Sequence, residues 1–262
     1  MREELPHSGG KTSLHVVTLP TNAMQNSQYR AVVVGASGAV GTALVRELLA
    51  SPQCVGVSAL VRREVPALMV LPSARGKLVL NLIDLRRLES ETRAALSFAQ
   101  THTVAFCTMG VGQPRKVSAE EHRLVDVEYT AAFARACRAS GVEHFSLLSA
   151  VGANVLSRSR YIRVKGDAEA AVTDVGFART SLFRPSVLVT PDIRYGLQDR
   201  ITQWLTPRVS RFLPSRFHEI HVDALGRAMR INAERAPTAA VEILEYDSFV
   251  RLLESDAAPT GR

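Results

Sequence analysis

Tyr161 and Lys165 stand four residues apart in Tyr-Ile-Arg-Val-Lys, and Ser149 precedes them at the end of Phe-Ser-Leu-Leu-Ser. On a helix, positions i and i+4 share a face, so the phenol and the ammonium address one pocket. A free phenol, with a pKa of about 10, exchanges protons poorly at neutral pH, and a nearby cation favours its phenolate. A serine hydroxyl beside that pair can hydrogen-bond a substrate carbonyl while Tyr161 passes the proton. The same spacing is common among surface pairs on amphipathic helices, so the trio gains weight only from a nucleotide site elsewhere in the chain.

Ala31 to Gly41 supplies one, as Ala-Val-Val-Val-Gly-Ala-Ser-Gly-Ala-Val-Gly. Gly35 allows a tight turn out of a β-branched strand, Gly38 allows the backbone to approach a diphosphate, and Gly41 allows the next helix to pack on the strand. The free N–H groups of that helix then point at the anion. At the end of the second strand, where an acidic residue would bind ribose hydroxyls, stand Arg62 and Arg63. Two guanidinium groups suit a 2′-phosphate and predict NADP rather than NAD, although solvated turn residues followed by Glu64 would read the same way. Asp84 ends the third strand, where its carboxylate either accepts from an adenine amino group or caps the next helix. Met109 and Gly110 follow the fourth strand, in a loop over the carboxyl edge where open α/β sheets bind ligands.

The elements that must position these residues alternate. Strands are expected at 31–34, 55–61, 77–83, 103–107, 144–148 and 180–183. Helices are expected at 42–50, 90–98, 119–139, 160–173 and 198–205. The pattern predicts an α/β protein with a doubly wound Rossmann fold, a mostly parallel sheet with helices on both faces. Val125, Tyr129 and Phe133 share a helical face and read as core. Residues 1–28 and 255–262 read as tails around a single domain at 29–254. Within it, 191–222 is a small C-terminal substrate-covering segment. Trp204, Phe212 and Phe217 could shape an apolar lid there, or pack as core. His218 and His221 need be neither ligands nor bases, and Asp223 is a candidate cap for a final helix through Arg230.

Hydrophobic residues make up 46% of the 262 positions and charged residues 22%, which excludes a disordered chain. No apolar run approaches the roughly 18 residues of a membrane span, and the first 30 positions lack a signal-peptide core. Cys54, Cys107 and Cys137 are odd in number and lack metal-ligand spacing, so reduced thiols, no zinc and a cytoplasmic location are expected. The net charge of +7 comes largely from scattered arginines without aromatic platforms, which favours a solvated basic face over nucleic-acid binding.

Taken together these blocks resemble the short-chain dehydrogenases/reductases, and within them the atypical branch that includes the Tat-interacting protein and its bacterial relatives. The resemblance spans about residues 30–245. It rests on residues 35–41, Arg62-Arg63, 105–110, Val125-Asp126, 141–149, 161–166 and Phe-Arg-Pro-Ser-Val-Leu at 183–188. It implies an NADP-binding Rossmann domain with Ser149, Tyr161 and Lys165 as the catalytic trio, Lys165 also contacting the nicotinamide ribose. By the same matching, Ser37, Gly38, Ala39 and Val40 cradle the phosphates between Gly35 and Gly41, and Arg62 and Arg63 select the 2′-phosphate. Met109 and Gly110 line the cofactor channel, and Leu188 and Arg194 lie beside the nicotinamide half. Ser186 replaces the glycine usual after Arg-Pro, and Ala150 replaces a frequent second serine. The expected activity is hydride transfer between nicotinamide and a carbonyl or alcohol. The rival is an NADPH-binding regulatory or sensor protein that engages a protein partner with little turnover. A basic nucleic-acid adaptor is the weaker third reading, no membrane partner is expected, and oligomeric state stays open.

Overall fold

Parallel strands covered on both faces are apolar along their whole length, and Tyr-Arg-Ala-Val-Val-Val of β1 (Tyr29–Val34) nearly satisfies this. In the computed structural model, which describes residues 28–97, 102–190 and 214–257, Ala31 and Val33 face one core, and Val32 and Val34 the other. The chain continues through α1 (Ala39–Ala50), β2 (Cys54–Val61), α2 (Pro66–Met69), α3 (Ala74–Lys77), β3 (Leu78–Leu82), α4 (Leu88–Leu96) and β4 (Thr103–Cys107). Then come α5 (Ala119–Arg123), a π-helical turn (Leu124–Glu128), α6 (Tyr129–Ala139), β5 (His144–Leu148), α7 (Arg160–Thr173) and β6 (Arg179–Phe183). The short strands β7 (Leu188–Val189) and β8 (Ile220–His221) precede α8 (Val222–Glu234), β9 (Val241–Leu244) and α9 (Tyr246–Ala257).

Seven strands form one sheet in the order β3-β2-β1-β4-β5-β6-β9, every neighbouring pair parallel. Leu44 and Leu48 of α1, Leu225 and Met229 of α8 and Phe249 of α9 fill one face. Leu88 of α4, Phe133 of α6 and Val172 of α7 fill the other. This is the doubly wound Rossmann arrangement, and its order reverses between β1 and β4, where a crevice opens at the carboxyl ends of the strands.

Each expected strand is present with ends within two residues. Four differences have local causes. The expected helix at 119–139 is interrupted by the π turn. The helix opening at Val222 has His221, not Asp223, at its N-cap; Asp223 lies inside the first turn and receives a hydrogen bond from Arg46 of α1 at 2.9 Å. That helix runs past Arg230 to Glu234 and is not the last, because α9 carries ordered structure to Ala257, beyond the expected boundary at 254. Finally, β9 was not expected: Glu242 interrupts its short apolar run, and only tertiary contacts make a buried carboxylate tolerable there. Arg179 of β6 donates through Nε and Nη2 to Glu242 Oε2 at 2.9 and 2.8 Å, and Ser181 and Thr238 hydroxyls also donate to that carboxylate. The expected helix at 198–205 lies outside the described residues.

Candidate active site

The glycine turn is built as its residue types require. Gly35 leaves β1 at φ +84°, and a Cβ there would meet Met109 N at 2.5 Å and Thr108 C at 2.6 Å. The turn and the loop after β4 therefore form one wall, tied by Thr108 N–H and Oγ1–H donating to Val34 O at 3.0 and 3.1 Å. A Cβ at Gly41 would press into Gly35 O and lie 2.8 Å from Thr108 Oγ1, so the first turn of α1 can approach β1 only without a side chain. Gly38 N–H donates to Gly35 O at 3.0 Å and caps α1, whose first turn holds no acidic residue. The first amides of such a helix lack intrahelical acceptors and favour an anion. Ser37, Ala39 and Val40 lie on this rim. Arg62 and Arg63 are exposed just past β2, and no carboxylate engages either among the described residues. Asp84 accepts from Arg86 N–H at 2.9 Å, which fulfils the capping alternative, and stays exposed.

The trio gathers at the same edge of the sheet. Ser149 follows β5; its amide donates to Phe183 O at 2.7 Å, while its buried Oγ has no partner. Tyr161 and Lys165 lie on the first two turns of α7, Tyr161 37% exposed and Lys165 only 8%. They face a second i, i+4 pair, His122 of α5 and Asp126 of the π turn, rung by rung. The His122 and Tyr161 rings stack at 6.1 Å with an 11° tilt, and Lys165 Nζ meets Asp126 Oδ1 at 2.7 Å. Asp126 Oδ2 accepts from Val111 N–H at 2.9 Å. Gly110 roofs the pair: a Cβ there would lie 3.1 Å from Asp126 Oδ1 and 3.3 Å from Lys165 Nζ. Burial opposes the Lys165 charge, but the Asp126 carboxylate, with a smaller push from Tyr161, more than compensates and holds the amine above its ordinary value. Burial pushes His122 the other way, below the ordinary histidine range, against the opposing pull of Asp126. Burial therefore favours the neutral form of His122. Both its nitrogens lack hydrogen-bond partners, Asp126 being 3.9 Å away.

His122 and Asp126 escaped the sequence reading as site residues. A signal was present, because Asp126, Thr130 and Phe133 share one buried helical face on which a carboxylate needs a partner. Leu188 is half-buried and paired with Ile220 in the β7–β8 ribbon. Phe217 is half-buried under the Arg216 guanidinium, and the His218 ring meets Tyr246 edge-on at 5.0 Å. Arg194, Trp204 and Phe212 lie outside the described residues. The arrangement fits a dinucleotide: a glycine turn, a helix N-terminus, two guanidinium groups unengaged among the described residues, and a buried serine hydroxyl without a partner at the end of β5.

Residues 35–211 match a family described as NAD(P)H-binding. The chain is 30% identical over 239 residues to Protein HTATIP2 of Rattus norvegicus, covering 90% of this chain and 93% of that protein. It is 31% identical over 160 residues to Protein FMP52-1, mitochondrial, of Scheffersomyces stipitis, covering 61% of this chain and 67% of that protein. Among solved structures, 3-oxoacyl-[acyl-carrier protein] reductase from Brucella melitensis in complex with NAD superposes with a TM-score of 0.64 at 15% identity. It covers 86% of this chain and 98% of that one, a likeness of fold alone. The mitochondrial designation of the fungal relatives overturns the expected cytoplasmic location. That expectation came from the lack of a signal-peptide core and from cysteine usage, neither of which distinguishes the two compartments. No helix among the described residues is long and apolar enough to cross a membrane.

Proposed function

Because the chain belongs to the NAD(P)H-binding family and is a relative of HTATIP2, we propose that it is an NADP-dependent oxidoreductase acting on a small carbonyl or alcohol. The observation that supports the reading is the buried Lys165 ammonium, on the same helix as Tyr161, lying against Gly110 in the loop that follows β4 at the carboxyl edge of the sheet, with the partnerless Ser149 hydroxyl just past the neighbouring strand β5. When bound, the nicotinamide supplies or takes up the hydride. Gly35, Ser37, Gly38, Ala39, Val40 and Gly41 hold the diphosphate, Arg62 and Arg63 the 2′-phosphate, and Asp84 the adenine side. Met109, Gly110 and Leu188 border the nicotinamide half. Ser149 Oγ donates a hydrogen bond to the substrate oxygen, which gives the partnerless hydroxyl its acceptor. Tyr161 Oη delivers the proton to that oxygen in reduction and takes it back in oxidation. Lys165 favours the phenolate left behind and reaches the nicotinamide ribose.

The test is a panel of aldehydes, ketones and quinones with NADPH, followed by loss of the reduced-nicotinamide absorbance. At least one carbonyl should be reduced. Tyr161→Phe should slow it by about 10²–10⁴-fold with NADPH affinity unchanged, the usual size of a general-acid contribution. Stoichiometric NADPH binding without oxidation by any carbonyl would instead support a cofactor-sensing protein.

A further inference from the structure

An ammonium as enclosed as that of Lys165 keeps its proton only if a counter-charge lies against it, because desolvation favours the neutral amine. The groups around it can be named element by element. Tyr161 and Arg160 belong to its own helix. His122 and Asp126 face it from α5 and the π turn, and the Cys107 thiol from β4. One turn further along α7, Glu169 is consumed by Arg184, its Oε1 accepting from Arg184 Nε at 2.8 Å. Burial keeps His122 neutral and raises the Cys107 thiol, so neither supplies a negative charge. Asp126 alone does, among the described residues. It is held from two further directions, by the Val111 amide and by the π turn that carries it.

We propose that Asp126 is a positioning residue for this site: its carboxylate keeps the Lys165 ammonium charged and fixed beneath Gly110, one helical turn from Tyr161. Lys165 in turn can favour a phenolate only while it carries that charge, so the tyrosine's proton exchange depends on a carboxylate that does not reach the substrate. The His122–Tyr161 stack fixes the other rung. A neutral His122 leaves the carboxylate to Lys165. The inference rests on the reading of Tyr161 as the proton-exchanging group, but its test does not use turnover.

The chain has four lysines, Lys11, Lys77, Lys116 and Lys165, so selective ¹³Cε-lysine labelling gives an NMR spectrum in which each titrates separately. Lys165→Arg identifies the signal. In the wild type, Lys165 should titrate above the ordinary lysine value of about 10.4. In Asp126→Asn it should fall by at least about one pH unit, a tenfold change in the neutral fraction at fixed pH. An unchanged midpoint in Asp126→Asn overturns the proposal. If that variant does not fold, the wild-type midpoint decides alone, and a Lys165 midpoint below the ordinary lysine value overturns it equally. Where the shift appears but no carbonyl oxidises NADPH, Asp126 keeps its role as anchor of the ammonium and the reductase reading falls.

Discussion

A buried hydroxyl without a partner costs about 1–3 kcal/mol, and Ser149 carries that cost at the carboxyl end of β5. In the proposed reduction, a substrate oxygen that accepts from it would recover the loss. The same single-residue logic applies at Arg62 and Arg63, whose guanidinium groups are exposed and unengaged among the described residues. If they hold a 2′-phosphate, replacing both by alanine removes charge-assisted hydrogen bonds worth about 1.5–3 kcal/mol each, so NADPH affinity should drop at least tenfold while NADH affinity barely moves. Fluorescence titration with both cofactors checks this, and equal losses would remove the NADP assignment. At this scale the sequence was informative where neighbours are local: Tyr161 and Lys165 share a helix, and Ser149 ends a strand. Asp126 and His122 were not assigned because their partners lie on a different helix, and spacing along one segment cannot say which segment it faces.

The glycines of the turn differ in how closely an added side chain would crowd its surroundings, and two of them separate folding from binding. An alanine at Gly41 would drive its Cβ into Gly35 O and close to Thr108 Oγ1, so Gly41→Ala should lose about 1–3 kcal/mol in urea unfolding. An alanine at Gly38 meets only Gly35 O at 3.3 Å, with ordinary φ, so Gly38→Ala should fold almost normally. If the turn grips a diphosphate, that variant should still weaken NADPH by tenfold or more, because the methyl group occupies the approach to the backbone. Equal stability losses in the two variants would contradict the packing described, and full NADPH affinity in Gly38→Ala would contradict the grip. The strand–turn–helix frame was legible because its signals are contiguous. The π turn was not, since Leu-Val-Asp-Val-Glu continues a helical pattern. Such turns recur at functional sites, and this one carries Asp126. The strand β9 was hidden for the opposite reason, a charge in a strand that its fold neutralises.

Across the whole molecule, stability should fall on acidification in two stages. Burial lowers His144 and His122 below the ordinary histidine value of about 6.5, so the unfolded chain binds more protons and stability declines as pH drops through that value. Glu242 follows. Burial opposes its ionisation, but hydrogen bonds from Thr238 and the Arg179 charge hold it at about 2. Its contribution, no more than roughly 3 kcal/mol, is present above about pH 4.5 and disappears as pH falls toward 2. Urea midpoints measured at pH 7.5, 5.5 and 3.5 should decrease in that order, and a midpoint that rises between the first two would contradict the burial of the histidines. The doubly wound arrangement with helices on both faces was readable because strand–helix alternation implies it; the strand order and the closing strand were readable only from contacts. That late strand has a consequence during synthesis. Arg179 and Glu242 are 63 positions apart, so at about 5–20 residues per second the arginine emerges roughly 3–13 s before its counter-ion. Through that interval β6 is an open border of the nascent sheet, its guanidinium without its carboxylate.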